Sequence, residues 1–232
     1  MSQQAVKVKI CGLTNWADVQ TAVSAGADYL GFIFYPPSPR AITPDAAKTI
    51  VTRLRAEGNC PVLVGVFVNE TAVTMAQILD ECQLDLAQLS GEEVPSIVGN
   101  ESSPVYGRCY KALRPTSLEE AEADAEWFLP PPFSSQPPAR RPNQPALLID
   151  SYHPTLRGGT GETGDWSVMA KLVQKVPNMM VAGGLTAVNV AEAVRQIRPY
   201  GVDVASGVEA SRGHKDHDLV RAFIQAAKGQ PK

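Results

Sequence analysis

Short apolar runs and amphipathic stretches alternate along the whole chain, separated by polar, glycine or proline joints. The runs at 6–11, 29–34, 62–68, 84–89, 105–112, 146–150, 178–182 and 202–205 read as strands. The stretches at 16–25, 45–57, 71–82, 95–100, 118–128, 166–176, 187–197 and 217–228 read as helices, with 95–100 short and weakly patterned. Several strand segments are apolar at consecutive positions rather than at every second one, most clearly Val62-Leu63-Val64-Gly65-Val66-Phe67-Val68. Such runs suit a parallel sheet covered on both faces. Local punctuation agrees. Asn15, Thr43 and Thr186 stand where N-caps are expected, Pro44 stands at a first helical position, and Asn69 with Glu70 opens the third helix. Gly26 and Gly58 stand where helices should stop.

Eight strand–helix units in strict order predict a single-domain (β/α)₈ TIM barrel, with residues 1–232 as one catalytic domain. An open doubly wound sheet uses the same units. The chain's 232 residues, close to the roughly 250 of a typical barrel, leave no second domain and favour closure. One segment breaks the pattern: 130–145 reads PPPFSSQPPARRPNQP, too rich in proline for helix or strand. It precedes the sixth strand, so it is expected as a surface insertion on the barrel's N-terminal face, away from the active site.

Composition narrows the function. Lys and Arg number 21 against 24 Asp and Glu, a net charge of −3, which carries no electrostatic footprint for duplex nucleic acid. No apolar run approaches the roughly 20 residues that span a bilayer, and the opening MSQQAVKVKICGLT lacks a signal-peptide core. A soluble cytoplasmic protein with no membrane partner is expected. Cys11, Cys60, Cys82 and Cys109 form no CxxC pair, which argues for reduced thiols and against a metal site or disulfide framework.

In a barrel of this kind, chemistry is carried by strand C-terminal ends and the loops after them. The first strand ends at Cys11 followed by Gly12. A thiol there serves as base or nucleophile if its pKa is lowered, or as a small buried hydrophobe if not. The loop after the second strand carries Pro36, Pro37, Pro39 and Arg40, a guanidinium either held for bidentate capture of a carboxylate or solvated at the surface. The sixth strand ends at Asp150, a competent general acid if partly buried, or else a cap for the turn that follows. The next loop carries Gly158, Gly159, Thr160 and Gly161, which allow it to fold over a ligand as a lid. Gly183 and Gly184 follow the seventh strand; Ser206 and Gly207 follow the eighth. Loops in these last two units are the usual barrel phosphate site, so the pair implies a small phosphorylated substrate.

Taken in order, VKICGLT at 8–14, SPR at 38–40, LLIDS at 147–151, GGTG at 158–161 with DW at 165–166, AGGLT at 182–186, VDVASGVE at 202–209 and KDHD at 215–218 resemble the phosphoribosylanthranilate isomerases of tryptophan biosynthesis. The resemblance covers nearly the whole chain outside 130–145. It implies an Amadori rearrangement of an aminoaldose to an aminoketose, with Cys11 on the family's general base, Asp150 on its general acid and Arg40 on the residue holding the anthranilate carboxylate. No redox step or metal ligand set is implied, and hence no cofactor. The chain departs from the family at Ser90, where QLHG is usual, at Gly164, where phenylalanine is common, and in the proline-rich insertion. Two rivals are a histidine-pathway sugar isomerase and a phosphate-binding barrel without catalysis. Cys11 argues against the first, since that relative looks to carry an aspartate there. Cys11, Asp150 and Arg40 together argue against the second.

Overall fold

The computed structural model describes residues 5–58, 60–129, 143–150 and 166–229. Within them the chain runs β1 (Lys7–Cys11), α1 (Trp16–Ser24), β2 (Tyr29–Ile33), α2 (Pro44–Ala56), β3 (Val62–Phe67), α3 (Ala72–Glu81), β4 (Leu86–Leu89) and α4 (Ser96–Gly99). It continues with β5 (Cys109–Leu113), α5 (Leu118–Phe128), β6 (Leu147–Asp150), α6 (Trp166–Lys175), β7 (Met179–Ala182), α7 (Val190–Ile197) and β8 (Gly201–Val204). Each strand pairs in parallel with the next, and β8 returns to β1 with Val204 opposite Ile10, which closes the sheet. An open sheet is excluded by that last pairing.

Side chains of a strand alternate between its two faces, and here both faces are buried. Val8, Ile10, Leu30, Phe32, Leu63 and Phe67 pack outward against the helices. Tyr29, Val64, Leu86, Tyr110, Leu148 and Met180 form a second cluster inside the barrel. This is why most strand segments lack a regular polar alternate position, β1 with Lys7 and Lys9 being an exception.

Local signals hold at the first two helices. The side chain of Asn15 accepts from the Asp18 amide, that of Thr43 accepts from the Ala46 amide, and Pro44 opens α2. They fail at two others. Thr71, not Asn69, caps α3, because Asn69 is held at φ 55° in the turn before it. Thr186 does not cap α7. It opens a turn in which the Asn189 side chain accepts from the Thr186 amide, and α7 starts at Val190. The fifth strand also begins late, at Cys109. Gly107 at φ 70° and the Arg108 amide bonded to the Val105 carbonyl make a turn of the residues before it. After β8, a 3₁₀ turn (Ser206–Val208) leads into a small antiparallel hairpin, β9 (Glu209–Ser211) and β10 (His214–Lys215), which the apolar pattern did not predict; α8 (His217–Lys228) follows.

Of the proline-rich segment, 130–142 lie outside the described residues, as do Gly158, Gly159, Thr160 and Gly161 of the expected lid. Its last residues lead into the N-terminal end of β6, where the Asn143 carbonyl accepts from the Tyr29 hydroxyl and Gln144 Nε2 donates to the Cys109 carbonyl. No helix among the described residues is long and apolar enough to cross a membrane.

On the mouth side, a buried ion pair ties the loops together. Lys111 points outward from β5 and bonds the Glu93 carboxylate at 2.7 Å and the Gly91 carbonyl. Glu93 also accepts from the Asn69 and Gly91 amides, so loops after β3 and β4 share one anchor. Lys111→Met would strand a carboxylate whose side chain is 2% exposed. Breaking such a pair costs about 3–5 kcal/mol. Urea unfolding of the variant should show a loss of that order; a loss under about 1 kcal/mol, the range of a surface pair, would mean that water reaches Glu93.

Candidate active site

Cys11 closes β1 on its barrel-facing side, buried, with Lys9 two residues below it on the same face. Gly31 on β2 makes room for both. A Cβ at Gly31 would lie 2.7 Å from Cys11 Sγ and 3.2 Å from Lys9 Cε. Burial pushes the Cys11 thiol pKa up; the Lys9 ammonium and, more weakly, Lys215 pull it back, while Asp203 adds to the rise.

Beneath the thiol, Lys9 Nζ donates to Gln88 Oε1 on β4 at 2.9 Å and to Asp203 Oδ2 on β8 at 3.1 Å. The Tyr110 hydroxyl donates to the same Gln88 oxygen, and Gln88 Nε2 donates to Ser90 Oγ. Ser90 is thereby tied to this network. Burial penalises the Lys9 ammonium, but the Asp203 carboxylate outweighs that and keeps Lys9 above the usual lysine range. Asp203 Oδ1 is buried and has no hydrogen-bond partner among the described residues. Such an oxygen costs free energy unless a ligand or water reaches it.

Asp150 closes β6 at the rim of the same mouth, its side chain 35% exposed and 3.5 Å from Arg114 Nε. Crowding by protein pushes its carboxyl pKa up, against the pull of Arg114; Asp203 adds to the rise and Lys9 opposes it. The Lys9 and Asp203 charges therefore act on both Cys11 and Asp150, which places the two strand ends around one centre.

Arg40 is not a solvated surface arginine. Its Nε and Nη2 grip both oxygens of Glu209 at 2.7 and 2.8 Å. Its stem crosses the end of β1, where a Cβ at Gly12, itself at φ 74°, would lie 2.8 Å from Arg40 Cδ. Glu209 also receives Lys215 Nζ at 3.1 Å, and Lys215 donates to the Ala205 carbonyl. Burial opposes ionisation of Glu209, but Arg40 and Lys215 together hold its pKa below the usual carboxylate range.

Gly183 and Gly184 both adopt positive φ, 94° and 61°, and Gly184 and Ser206 are exposed. The two loops touch. A Cβ at Gly207 would lie 1.9 Å from the Leu185 carbonyl oxygen, so only glycine lets the 3₁₀ turn after β8 pack on the loop after β7.

Sequence reasoning missed Lys9, Gln88, Asp203, Arg114, Glu209 and Lys215 as parts of this site. Two had a usable signal: Lys9 and Asp203 are charges inside strands that are otherwise apolar. The structure brings Cys11, Asp150 and the Arg40 loop to one end of the barrel, with the two glycine loops after β7 and β8.

The family model for N-(5'-phosphoribosyl)anthranilate (PRA) isomerase matches residues 8–226. The chain belongs to this isomerase family. A curated relative, the N-(5'-phosphoribosyl)anthranilate isomerase of Trichlorobacter lovleyi, is 41% identical over 96% of this chain and 98% of its own. That of Pelobacter propionicus is 42% identical over 96% of each chain. Among solved structures, phosphoribosyl anthranilate isomerase from Thermotoga maritima superposes with a TM-score of 0.80 at 35% identity, covering 96% of this chain and 98% of that one. A phosphoribosyl anthranilate isomerase in complex with reduced 1-(o-carboxyphenylamino)-1-deoxyribulose 5-phosphate superposes with a TM-score of 0.75 at 31% identity, over 96% of this chain and 98% of that one.

For this isomerase, Gly31→Ala is a steric test of the Cys11 position. The added methyl cannot share 2.7 Å with the sulfur, so the thiol must move while the fold persists. Misplacement of a reacting group by about 1 Å costs on the order of 10²-fold. Steady-state kinetics with circular dichroism should show that loss in a folded variant; unchanged turnover would mean that the sulfur position is immaterial.

Proposed function

We infer that the protein isomerises N-(5-phosphoribosyl)anthranilate to 1-(2-carboxyphenylamino)-1-deoxyribulose 5-phosphate, an internal aldose-to-ketose conversion by acid–base catalysis. The observation that carries this is the joint presence of a buried thiol at the end of β1 and a carboxyl of raised pKa at the end of β6, around one charged centre, in a chain of this family. Asp150, whose carboxyl burial makes a weaker acid than an exposed aspartate, donates in its protonated form to the furanose ring oxygen. The ring opens to an iminium ion, which acidifies the C2 proton. Cys11 in its thiolate form removes that proton, and the enolamine tautomerises to the ketone. The atoms balance within the substrate, one proton being given at oxygen and one taken at carbon.

Arg40 is assigned to the anthranilate carboxylate. Glu209 occupies the Nε–Nη2 edge of its guanidinium; the fork has a second edge able to take a carboxylate. Held this way, the guanidinium plane is set before substrate arrives. Gly183, Gly184, Ser206 and Gly207 are assigned to the phosphate, where backbone amides at the loops after β7 and β8 approach an anion closely. A small phosphorylated molecule is thus the substrate class.

The test is incubation of purified protein with phosphoribosylanthranilate, following loss of its fluorescence without added cofactor. Cys11→Ser should nearly abolish turnover with the fold intact, because a hydroxyl is a far poorer base than a thiolate. Asp150→Asn should lower kcat by about 10²–10⁴-fold while substrate still binds. The acid works protonated, so activity falls at high pH, where Asp150 is ionised and Cys11 has no further thiolate to gain, and this alkaline limb should vanish in the asparagine variant. A fewfold loss with the alkaline limb retained would reassign Asp150 as a turn cap.

Inorganic phosphate should compete with substrate at the glycine loops. Gly207→Ala forces a Cβ to within 1.9 Å of the Leu185 carbonyl and must part the two loops. Substrate KM and the inhibition constant for phosphate should therefore rise together. Competition unchanged by the substitution would move the phosphate elsewhere.

A further inference from the structure

Lys9 lies wholly inside the barrel, with no part of its side chain exposed, and the mechanism above does not use it. A lysine in such a place is costly unless paired and hydrogen-bonded. Its ammonium is tied to Asp203 and Gln88, which fixes it at the centre of the barrel rather than leaving it mobile. From there its charge acts on the Cys11 thiol, two residues above on the same strand face. Gly31 confirms the closeness from the other side, since one added carbon would touch both the sulfur and Lys9 Cε.

Charge around the thiol is unequal. From β1 comes Lys9, from the loop after β2 Arg40, and from β10 Lys215. Against them stand Asp203 on β8 and Glu209 on β9. Tyr110 on β5 faces the cluster as well, but burial holds its phenol neutral. Arg114 and Asp150 form a separate pair at the rim. Among the described residues, three cations therefore meet two carboxylates. Arg40 and Lys215 are both committed to Glu209, which leaves the Lys9–Asp203 pair closest in charge to the sulfur.

We propose that Lys9 is the positioning residue of the Cys11 base: its buried ammonium, anchored by Asp203 and Gln88, supplies the counter-charge against which the Cys11 sulfur becomes a thiolate. The proposal rests on the reading of Cys11 as the base. A thiolate beside Lys9 brings the cluster to balance, so the anion that burial alone would forbid is matched by a cation already in place. Arg40 and Lys215 set the sign of the surrounding field, and Asp203 tempers it.

The test is the pH dependence of Cys11 alkylation by iodoacetamide, read at its own peptide by mass spectrometry, in the wild type and in Lys9→Met, Lys9→Arg and Asp203→Asn. Lys9→Met should move the alkylation midpoint upward by at least about one pH unit, a tenfold loss of thiolate at fixed pH below it. The limb of the kcat/KM profile that reports Cys11 should move with it. Lys9→Arg, which keeps the charge, should stay near the wild type. Asp203→Asn removes the carboxylate opposing Cys11 ionisation, and its midpoint should fall. A Lys9→Met midpoint equal to the wild type overturns the proposal. Should Lys9→Met not fold, Lys9→Gln is read the same way, and a midpoint equal to the wild type overturns the proposal. Alkylation does not depend on turnover, so if Cys11→Ser proves active the base reading fails on its own while the midpoints still report on Lys9.

Discussion

A lysine ammonium sealed inside a parallel barrel constrains everything around it. Lys9 sits on the first strand and its carboxylate partner Asp203 on the last, so the pair spans the seam where β8 returns to β1. Backbone pairing closes that seam, and it would do so for apolar side chains as well. What the ion pair adds is a demand for order. The ammonium must keep Gln88 on β4 and Asp203 on β8 within 3.1 Å, and any slip in closure would leave a buried charge alone. A buried pair of this kind is weak evidence for stability, since a well-packed apolar substitute is often as good. It is better understood as the fixed charge around which the strand ends of the mouth are arranged.

The fold was legible because every strand is buried on two faces. Parallel sheets under helices need apolar residues on both sides, and such runs stand out against the polar joints between them. The eight units and their order could be counted for that reason. Errors fell where backbone conformation, not burial, decides. Asn69 and Thr186 are sensible caps by residue type, yet each belongs to a turn set by neighbours the pattern does not report. The hairpin at 209–215 was invisible because β9 is largely exposed and β10 is two residues long, too little for any periodicity.

The site was legible to a different degree. Cys11, Arg40, Asp150 and the glycine loops could be picked out by position at strand ends, together with a family resemblance. Their supports could not. Lys9, Gln88 and Asp203 lie one turn of the pleat deeper, inside strands where the apolar signal dominates. Glu209 and Lys215 reach the site only through the hairpin, and Arg114 only because β5 ends beside β6. Pairings across 79 or 194 residues of sequence carry no local trace. Reading charged residues inside apolar runs as anomalies to be explained would have recovered Lys9 and Asp203, since burial of an ion demands a partner.

The arrangement also bears on how one small mouth can hold the proposed acid and the proposed base at once. Even in the same medium a thiol and a carboxyl titrate far apart, at about 8.5 and 3.9 in water. Here Asp150 stands at the rim with its own arginine, and Cys11 stands lower with a lysine beneath it. Both feel the Lys9 and Asp203 charges, and burial raises the pKa of each, opposed by Arg114 at Asp150 and by Lys9 at Cys11. The two environments are built from different strands, so one can change without the other. Gly31 and Gly12 give the thiol and the guanidinium their room, and in both cases a single added carbon would close it. The proposed division of labour thus depends less on which residues react than on the charges and absent side chains that separate their surroundings.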